Sequence, residues 1–156
     1  MVAANKQYWL MKSETDTYPI QQLKKDGKTE WTGVRNYEAR NLMRDRMRIG
    51  DGVLFYHSNA EPSAVVGIAE VCSTPHPDPT QFDAKSDYYD SKSTKAEPRW
   101  ILVDIKYVET FKRPVTLAEI KTTKGLENMA LLKRGRLSVQ PVTPAEWEII
   151  VKLGRG

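Results

Sequence analysis

The sequence predicts an α+β fold, in which a small mixed sheet or barrel is flanked by helices. About five short apolar segments do not alternate regularly with long helices, which argues against a doubly wound parallel sheet. At 156 residues the chain is long enough to bury a sizeable core. We therefore expect a single domain that spans residues 1–156.

Five strands are predicted from short apolar runs bounded by turn-forming residues. The longest run alternates most clearly over Val103–Val108, and we expect it to end at Pro114 because proline cannot donate to a ladder. The predicted strands are Gln7–Lys12, Val53–His57, Ala64–Cys72, Arg99–Phe111 and Arg136–Val142.

Short helices are predicted between and after these strands. Thr143–Glu146 is the strongest helix start, since it combines a cap, a proline at the first helical position and a reciprocal glutamate. Ala39, Met43 and Met47 recur every four residues and predict the inward stripe of another helix. The predicted helices are Gln21–Lys25 with Thr17 as its cap, Arg35–Arg48, Thr116–Lys121, Glu127–Leu132 and a last one that runs to about Leu153.

Residues 73–98 interrupt this pattern of strands and helices. They contain four prolines, the adjacent pair Tyr88 and Tyr89, and many aspartate, lysine and serine residues. The segment is too long for a hairpin and too aromatic for a linker, so we expect a partly ordered excursion over one face.

The composition favours a mildly basic, reduced, intracellular protein. The net charge of +4 suits a polyanionic partner without requiring one. The single cysteine, Cys72, excludes an intrachain disulfide and lies in an apolar run, where a small buried residue is favoured over a nucleophile. The N-terminus lacks the pattern of a secretory signal, and no apolar run approaches the roughly 20 residues of a membrane span. We expect a cytoplasmic location, with association to the nucleoid left open.

No pattern in the sequence announces an enzyme or a metal site. The two histidines, His57 and His76, have no ligand partner at metal-binding spacing along the chain, so no metal or cofactor is predicted. His57 ends an apolar strand, where a pocket-edge or hydrogen-bonded core histidine is favoured over a ligand. Lys12 and Glu14 end the first strand; they are either solvated edge charges or a buried reactive pair.

Residues 30–41 (EWTGVRNYEARN) predict one wall of a pocket for a flat ring. Trp31 and Tyr37 can stack on a base. Amide and guanidinium groups in the same stretch can meet base edges and phosphates; they belong to Asn36, Asn41, Arg35 and Arg40. The alternative is a loop that enters an ordinary surface helix, and composition alone does not separate the two.

Two further polar groups extend this hypothesis. Arg40, Arg44 and Arg48 share the spacing of one helix face, which predicts a basic ridge for a phosphate backbone. Short polar side chains at strand ends can read base edges, with nearby arginines on phosphates. These side chains belong to His57, Ser58 and Asn59, and to Arg134, Arg136, Ser138 and Gln140.

Several of these segments together resemble the EVE domain family, in order and in spacing, from about Tyr8 to Trp147. The segments that carry the resemblance are Tyr8–Glu14 (YWLMKSE), Trp31–Asn41, Val53–Pro62, Val66–Val71 and Arg134–Val142. The resemblance implies a PUA-like bent β-barrel of about five to six strands flanked by helices, related to YTH and ASCH domains. One departure is Thr15, which stands where the family usually has proline after K-S-E; it loosens a turn but removes no pocket group.

The resemblance also implies a non-catalytic module that recognises a modified nucleobase, a modified cytosine such as 5-methylcytosine, in DNA or RNA. The implied partner is nucleic acid, with no membrane and a monomeric chain. The predicted base-binding residues are Lys12, Ser13, Trp31, Asn36, Tyr37, Asn41, Tyr56, His57, Ser58, Asn59, Ser138 and Gln140. The predicted phosphate-binding residues are Arg35, Arg40, Arg44 and Arg136.

Three points stay open at the level of sequence. The third wall of an aromatic cage could be Tyr37, Tyr56 or Trp100. The chain could instead be a small amidohydrolase acting on acylated cytidine, as in ASCH-type relatives, with Lys12 and Glu14 as nucleophile or base and proton carrier. Residues 73–98 could also serve a protein-interaction module.

Overall fold

The computed structural model describes residues 6–156, which contain eight strands and five α-helices. In chain order these are β1 (Tyr8–Glu14), α1 (Ile20–Asp26), β2 (Lys28–Glu30), α2 (Tyr37–Asp45), β3 (Gly52–Ser58), β4 (Ala64–Val71), β5 (His76–Pro77), β6 (Ile101–Leu102), β7 (Asp104–Thr116), α3 (Leu117–Thr122), α4 (Ala130–Lys133), β8 (Val139–Val142) and α5 (Pro144–Arg155). The start of the predicted domain, and most of the N-terminus where no secretory signal was predicted, lie outside the described residues. Within residues 6–156, no helix is long and apolar enough to cross a membrane.

Six of the strands form one curled sheet, a half-barrel, in the order β2-β7-β4-β3-β1-β8. Only β1 and β3 run parallel among these pairs, and the connection between them contains α1, β2 and α2. The short strands β5 and β6 pair separately. The α+β class and the count of five to six sheet strands are therefore confirmed.

Both faces of the sheet are covered, which accounts for the apolar runs in its strands. In β1, Trp9 and Met11 join the core beneath α1 and α2, while Leu10 joins the core beneath α3, α4 and α5. Successive side chains of a strand point to opposite faces, so one strand serves two cores. This double burial explains why clear alternation was rare in the sequence.

The last long strand does not end at Pro114, as the sequence predicted, but continues through it to Thr116. The ladder between β4 and β7 is irregular at this point: Val65 pairs with Val115, whereas Gly67 pairs with Thr110. Pro114 lies in the stretch that the irregularity skips, so its missing N–H removes no paired ladder hydrogen bond.

Helices α1, α2 and α4 start at other residues than predicted, whereas the predicted starts of α3 at Thr116 and of α5 at Thr143 are found. Helix α1 has Pro19, not Thr17, at its N-cap. Helix α2 is shorter than the predicted Arg35–Arg48, because Asn36 caps its first turn and its C-cap is Arg46, so Arg48 lies beyond the helix. The capping box at the start of α5 is confirmed, with Thr143 and Glu146 each bonding the backbone of the other.

Candidate nucleic-acid-binding cleft

A cleft of about 400 Å³ opens where β1 ends, between the loop that follows β2 and residues 73–98. Its volume lies within the range of roughly 300–1,000 Å³ that is usual for small-molecule sites. The lining residues are Lys12, Ser13, Glu14, Thr17, Tyr18, Thr29, Glu30, Trp31, Thr32, Gly33, Val34, Arg35, Tyr88 and Ser138. The set mixes aromatic, hydroxyl and charged side chains, as a site for a polar ring requires.

Trp31 is both a lining residue and part of the core. Its side chain is 7% exposed, and its indole meets the Phe55 ring edge-to-face at 5.7 Å between centroids. Its backbone N–H donates to the carbonyl of Val103 at 3.1 Å. Packing and hydrogen bonding thus fix this wall before any ligand arrives.

Tyr88 supplies a second aromatic surface from a distant part of the chain. A Cβ at residue 33 would lie 2.8 Å from the Tyr88 ring, so this approach requires Gly33, whose φ is +88°. The Arg35 guanidinium lies 5.6 Å from the centroid of the same ring, and its Nε donates to the Tyr88 carbonyl at 3.0 Å. The loop after β2 therefore holds Tyr88 in place.

Tyr18 is the third aromatic residue of the cleft. Its hydroxyl donates to Asp26 at 2.8 Å, and burial, followed by Asp26, raises the pKa of Tyr18 to about 12. The phenol therefore stays protonated at neutral pH. The three aromatic lining residues are Tyr18, Trp31 and Tyr88, and none of the candidates from sequence for the third wall lines this cleft.

Polar groups gather at the end of β1. The Ser13 hydroxyl is buried and donates to the Tyr18 carbonyl at 2.6 Å. The Lys12 ammonium donates to the Gly135 carbonyl at 2.8 Å, and burial lowers its pKa from the ordinary value. Glu14 accepts a hydrogen bond from the Asn59 amide at 3.0 Å. The cleft thus offers donors and carboxylate acceptors within one concave surface.

Of the predicted base-binding residues, Lys12, Ser13, Trp31 and Ser138 line the cleft. In the predicted stretch 30–41 the others have different partners. Asn36 accepts from the Ala39 N–H as the cap of α2, and Asn41 accepts from the Arg40 guanidinium. Tyr37 is 51% exposed and stacks on Trp100 at 4.8 Å, outside the cleft.

The residues predicted at the end of β3 also lie outside the cleft. Tyr56 faces the core beneath α3, α4 and α5, while the His57 ring accepts from the Ile20 N–H at 3.1 Å. Ser58 is half-buried and Asn59 is exposed at a φ of +51°. The buried Gln140 donates to the carbonyls of Arg134 and Leu137. Their roles in binding stay predictions.

Three of the four predicted phosphate-binding arginines already form hydrogen bonds or ion pairs within the protein. Arg35 pairs with the buried Asp78 at 3.1 Å, Arg40 donates to the Arg99 carbonyl at 2.6 Å, and Arg44 pairs with Asp45 at 2.8 Å. Arg136 is exposed, lies next to the carbonyl that receives Lys12, and makes no hydrogen bond or ion pair with residues 6–156. Arg35 lines the cleft and Arg136 does not, so the role of Arg136 as a phosphate contact stays a prediction.

Residues 73–98, which we call the strap, are held by buried polar groups rather than by regular structure. Asp78 accepts from the Gly33 N–H at 2.8 Å and from Arg35, so it ties the strap to the loop after β2. Gln81 is fully buried, donates to the Trp100 carbonyl and accepts from the Trp100 N–H.

Two aromatic lining residues, Tyr18 and Tyr88, were not predicted from the sequence. The only pattern that could have indicated one of them is the adjacent pair Tyr88 and Tyr89 in the strap.

The curled six-stranded sheet with flanking helices is that of PUA-like α+β proteins. A solved YTH domain, that of Pho92 in complex with m6A, has the same fold, with a TM-score of 0.58 at 14% sequence identity over 97% of this chain and 85% of that one. At that identity the likeness concerns the fold alone.

The chain belongs to the EVE domain family, whose model matches residues 7–153. Thymocyte nuclear protein 1 of Gallus gallus is 40% identical over 165 residues, which is 94% of this chain and 68% of the relative. A hypothetical protein from Leishmania major has a solved structure that superposes with a TM-score of 0.93 at 44% identity, covering 97% of this chain and 96% of that one.

A further similar structure is that of human THYN1 protein in complex with DNA that contains 5-methylcytosine. It matches with a TM-score of 0.91 at 36% identity, covering 97% of this chain and 99% of that chain. The fold and the family expected from the sequence are thereby confirmed.

Proposed function

We propose that this chain is a non-catalytic module that binds a modified cytosine, flipped out of a nucleic acid into the cleft at the end of β1. The observation that carries the proposal is the cleft itself, which Tyr18, Trp31 and Tyr88 line together with Lys12 and Ser13. The human relative solved with 5-methylcytosine DNA supports this ligand class.

The energetics require more than one aromatic contact. Taking a base out of the stack costs a few kcal/mol, and each base–aromatic stack returns about 1–3 kcal/mol. Trp31 is already fixed by Phe55, so stacking on it orders no additional side chain. Two aromatic surfaces, with hydrogen bonds to the base edge, are sufficient to offset the cost of extrusion.

The polar lining of the cleft suits the edge of cytosine. Cytosine presents an exocyclic amino donor and ring acceptors, and aspartate or glutamate is a natural partner of that amino group. Glu14 and Glu30 provide carboxylates, and the Lys12 ammonium provides donors. The Ser13 hydroxyl already donates its proton to the Tyr18 carbonyl, so it offers an acceptor oxygen. A methyl group on the ring would contact the aromatic lining, where apolar surface is removed from water.

We propose binding rather than turnover, although Lys12 and Glu14 both line the cleft as the amidohydrolase alternative would require. The Lys12 ammonium is hydrogen-bonded to the Gly135 carbonyl, and Glu14 is bonded to Asn59, so neither is poised toward the other. Incubation with acetylated cytidine tests this point. Release of acetate that is lost in Lys12→Ala would overturn the non-catalytic assignment.

The binding proposal is tested with oligonucleotides that differ only in 5-methylcytosine against cytosine. Tyr88→Ala should weaken binding of the modified strand about tenfold or more, because it removes one stacking surface. Tyr89→Ala is the matched control: Tyr89 is the next residue, is similarly exposed and does not line the cleft. Fluorescence anisotropy gives both affinities.

Two results of that titration would contradict the proposal. Equal affinity for modified and unmodified strands in the wild-type chain would remove modified cytosine as the ligand. Equal losses in Tyr88→Ala and Tyr89→Ala would show that the strap acts through its general surface and that the base lies elsewhere.

A further inference from the structure

Three metal-ligating side chains meet at the edge of the sheet beside the cleft. Glu30 ends β2 and lies directly opposite Asp104, which begins β7. His76, from β5 at the start of the strap, places one ring nitrogen 2.8 Å from the Asp104 carboxylate and the other 3.8 Å from that of Glu30. One ligand atom from each residue lies within 4.8 Å of the other two.

The cluster places two carboxylates close together, and this arrangement favours a bound cation. Like charges directly opposite each other on neighbouring strands destabilise a sheet, and Glu30 and Asp104 are such a pair. The nearest paired lysine on the same strand, Lys106, is already engaged with Glu70 at 3.4 Å. His76 lies between the two carboxylates, and no lysine or arginine of residues 6–156 forms an ion pair with either of them.

We propose that Glu30, His76 and Asp104 form a binding site for a divalent transition-metal ion, with Zn²⁺ as its chemical type. One imidazole nitrogen with two carboxylate oxygens is a donor set that first-row ions accept, whereas Mg²⁺ prefers oxygen ligands alone. Ligands on a tetrahedral ion with bonds of about 2.1 Å lie roughly 3.4 Å apart. Small rotations of three partly exposed side chains bring the cluster to that spacing, and water completes the coordination.

An ion at this position would connect the strap to the wall of the cleft. Glu30 directly precedes Trp31, and His76 lies two residues before Asp78, which holds the loop after β2. The ion would therefore join β2, β7 and the strap at one point. Since it binds the folded chain, it should raise the melting temperature as its concentration increases.

Isothermal titration calorimetry of the chelator-treated chain with ZnCl₂ tests the proposal. We expect one ion per chain, and a loss of affinity of at least about tenfold in both His76→Ala and Asp104→Asn. Two variants serve as matched controls and should bind as the wild type does. Glu70→Gln removes a carboxylate from the neighbouring strand β4, and Cys72→Ser removes the thiol of the residue whose backbone N–H donates to the Asp104 carbonyl.

The opposite results would overturn the proposal. No saturable Zn²⁺ binding, or unchanged binding in His76→Ala, would show that the cluster is a carboxylate pair bridged by histidine alone. If circular dichroism shows that His76→Ala does not fold, Zn²⁺ binding by the nearly isosteric Asp104→Asn variant decides between a metal site and a carboxylate pair bridged by histidine. Mg²⁺ binding as tight as Zn²⁺ binding would contradict the assignment of a transition metal.

Discussion

At the scale of single residues, Trp31 belongs both to the candidate binding site and to the hydrophobic core. Its ring lines the cleft yet is packed in the core. Replacing a buried tryptophan by alanine costs about 3–5 kcal/mol of stability. Loss of binding in Trp31→Ala would therefore be inseparable from loss of the fold, which is why Tyr88, at 40% exposure, is the better probe of the cleft.

His57 predicts a sensitivity of the fold to acid. Its ring accepts from the Ile20 N–H, and burial lowers its pKa below the ordinary 6.5. A proton on the accepting nitrogen would break this bond, so the stability is present above pH 6.5 and is lost as the pH falls through the lowered folded-state pKa. Urea denaturation between pH 7.5 and about pH 5 measures this loss.

His57→Gln is the variant that isolates this effect, because a glutamine oxygen can still accept from Ile20 but does not titrate. We expect its free energy of unfolding to fall less steeply below pH 6.5 than that of the wild type. Identical pH dependence in the two proteins would assign the acid sensitivity to the carboxylates instead.

At the scale of elements, the strap is held by a few buried side chains. The Asp78 carboxylate accepts from the Gly33 N–H, from Arg35 and from the Thr80 N–H, and it is 2% exposed. Several charge-assisted hydrogen bonds on one buried carboxylate fix a loop that has little regular structure. The position of Tyr88, and hence one surface of the cleft, depends on them.

Asp78→Asn should loosen the strap and weaken ligand binding together. It leaves the partly buried Arg35 without its counter-charge, at a cost of about 2 kcal/mol in the free energy of unfolding. Asp83→Asn is the control, because Asp83 is an exposed aspartate of the same segment that accepts from the Lys85 N–H. Urea denaturation and anisotropy titrations should show both losses in Asp78→Asn and neither in Asp83→Asn.

Local signals in the sequence predicted most elements. The Thr143 capping box, the apolar runs of β3 and β4, and the stripe of Ala39 and Met43 all act over a few residues, and each is found in the structure. Pro114 misled the prediction because the sequence does not show where a ladder becomes irregular. The strand β2 was missed because its three residues gain their ladder only from β7.

At the scale of the whole molecule, the candidate site depends on contacts between distant segments. Lys12, Ser13 and Ser138 could be predicted, since they lie where neighbouring strands begin or end. The approach of Tyr88 to Gly33 could not, because it follows from how the strap folds over the sheet. The cluster of His76 with Glu30 and Asp104 could not be predicted either, because the spacing of ligand residues along the chain does not show which residues are neighbours across strands.

Salt dependence reports how the molecule meets a phosphate backbone. If Arg136 contacts one phosphate, Arg136→Ala should weaken binding of all strands alike and reduce the slope of log affinity against log salt by about 1. Arg113→Ala is the control, since Arg113 is also exposed but its guanidinium is already paired with Glu119. Equal slopes for wild type and Arg136→Ala would exclude this phosphate contact.

We propose that the modified base lies against Trp31 and Tyr88. An oligonucleotide with a ¹³C-labelled 5-methyl group, titrated with the protein and followed by NMR, tests it most directly. We predict nuclear Overhauser effects from the methyl group to ring protons of Trp31 or Tyr88, and a shift of its resonance by their ring currents. Nuclear Overhauser effects from the methyl group to Tyr37 and Trp100 instead, or an unshifted methyl resonance at saturation, would contradict this position of the base.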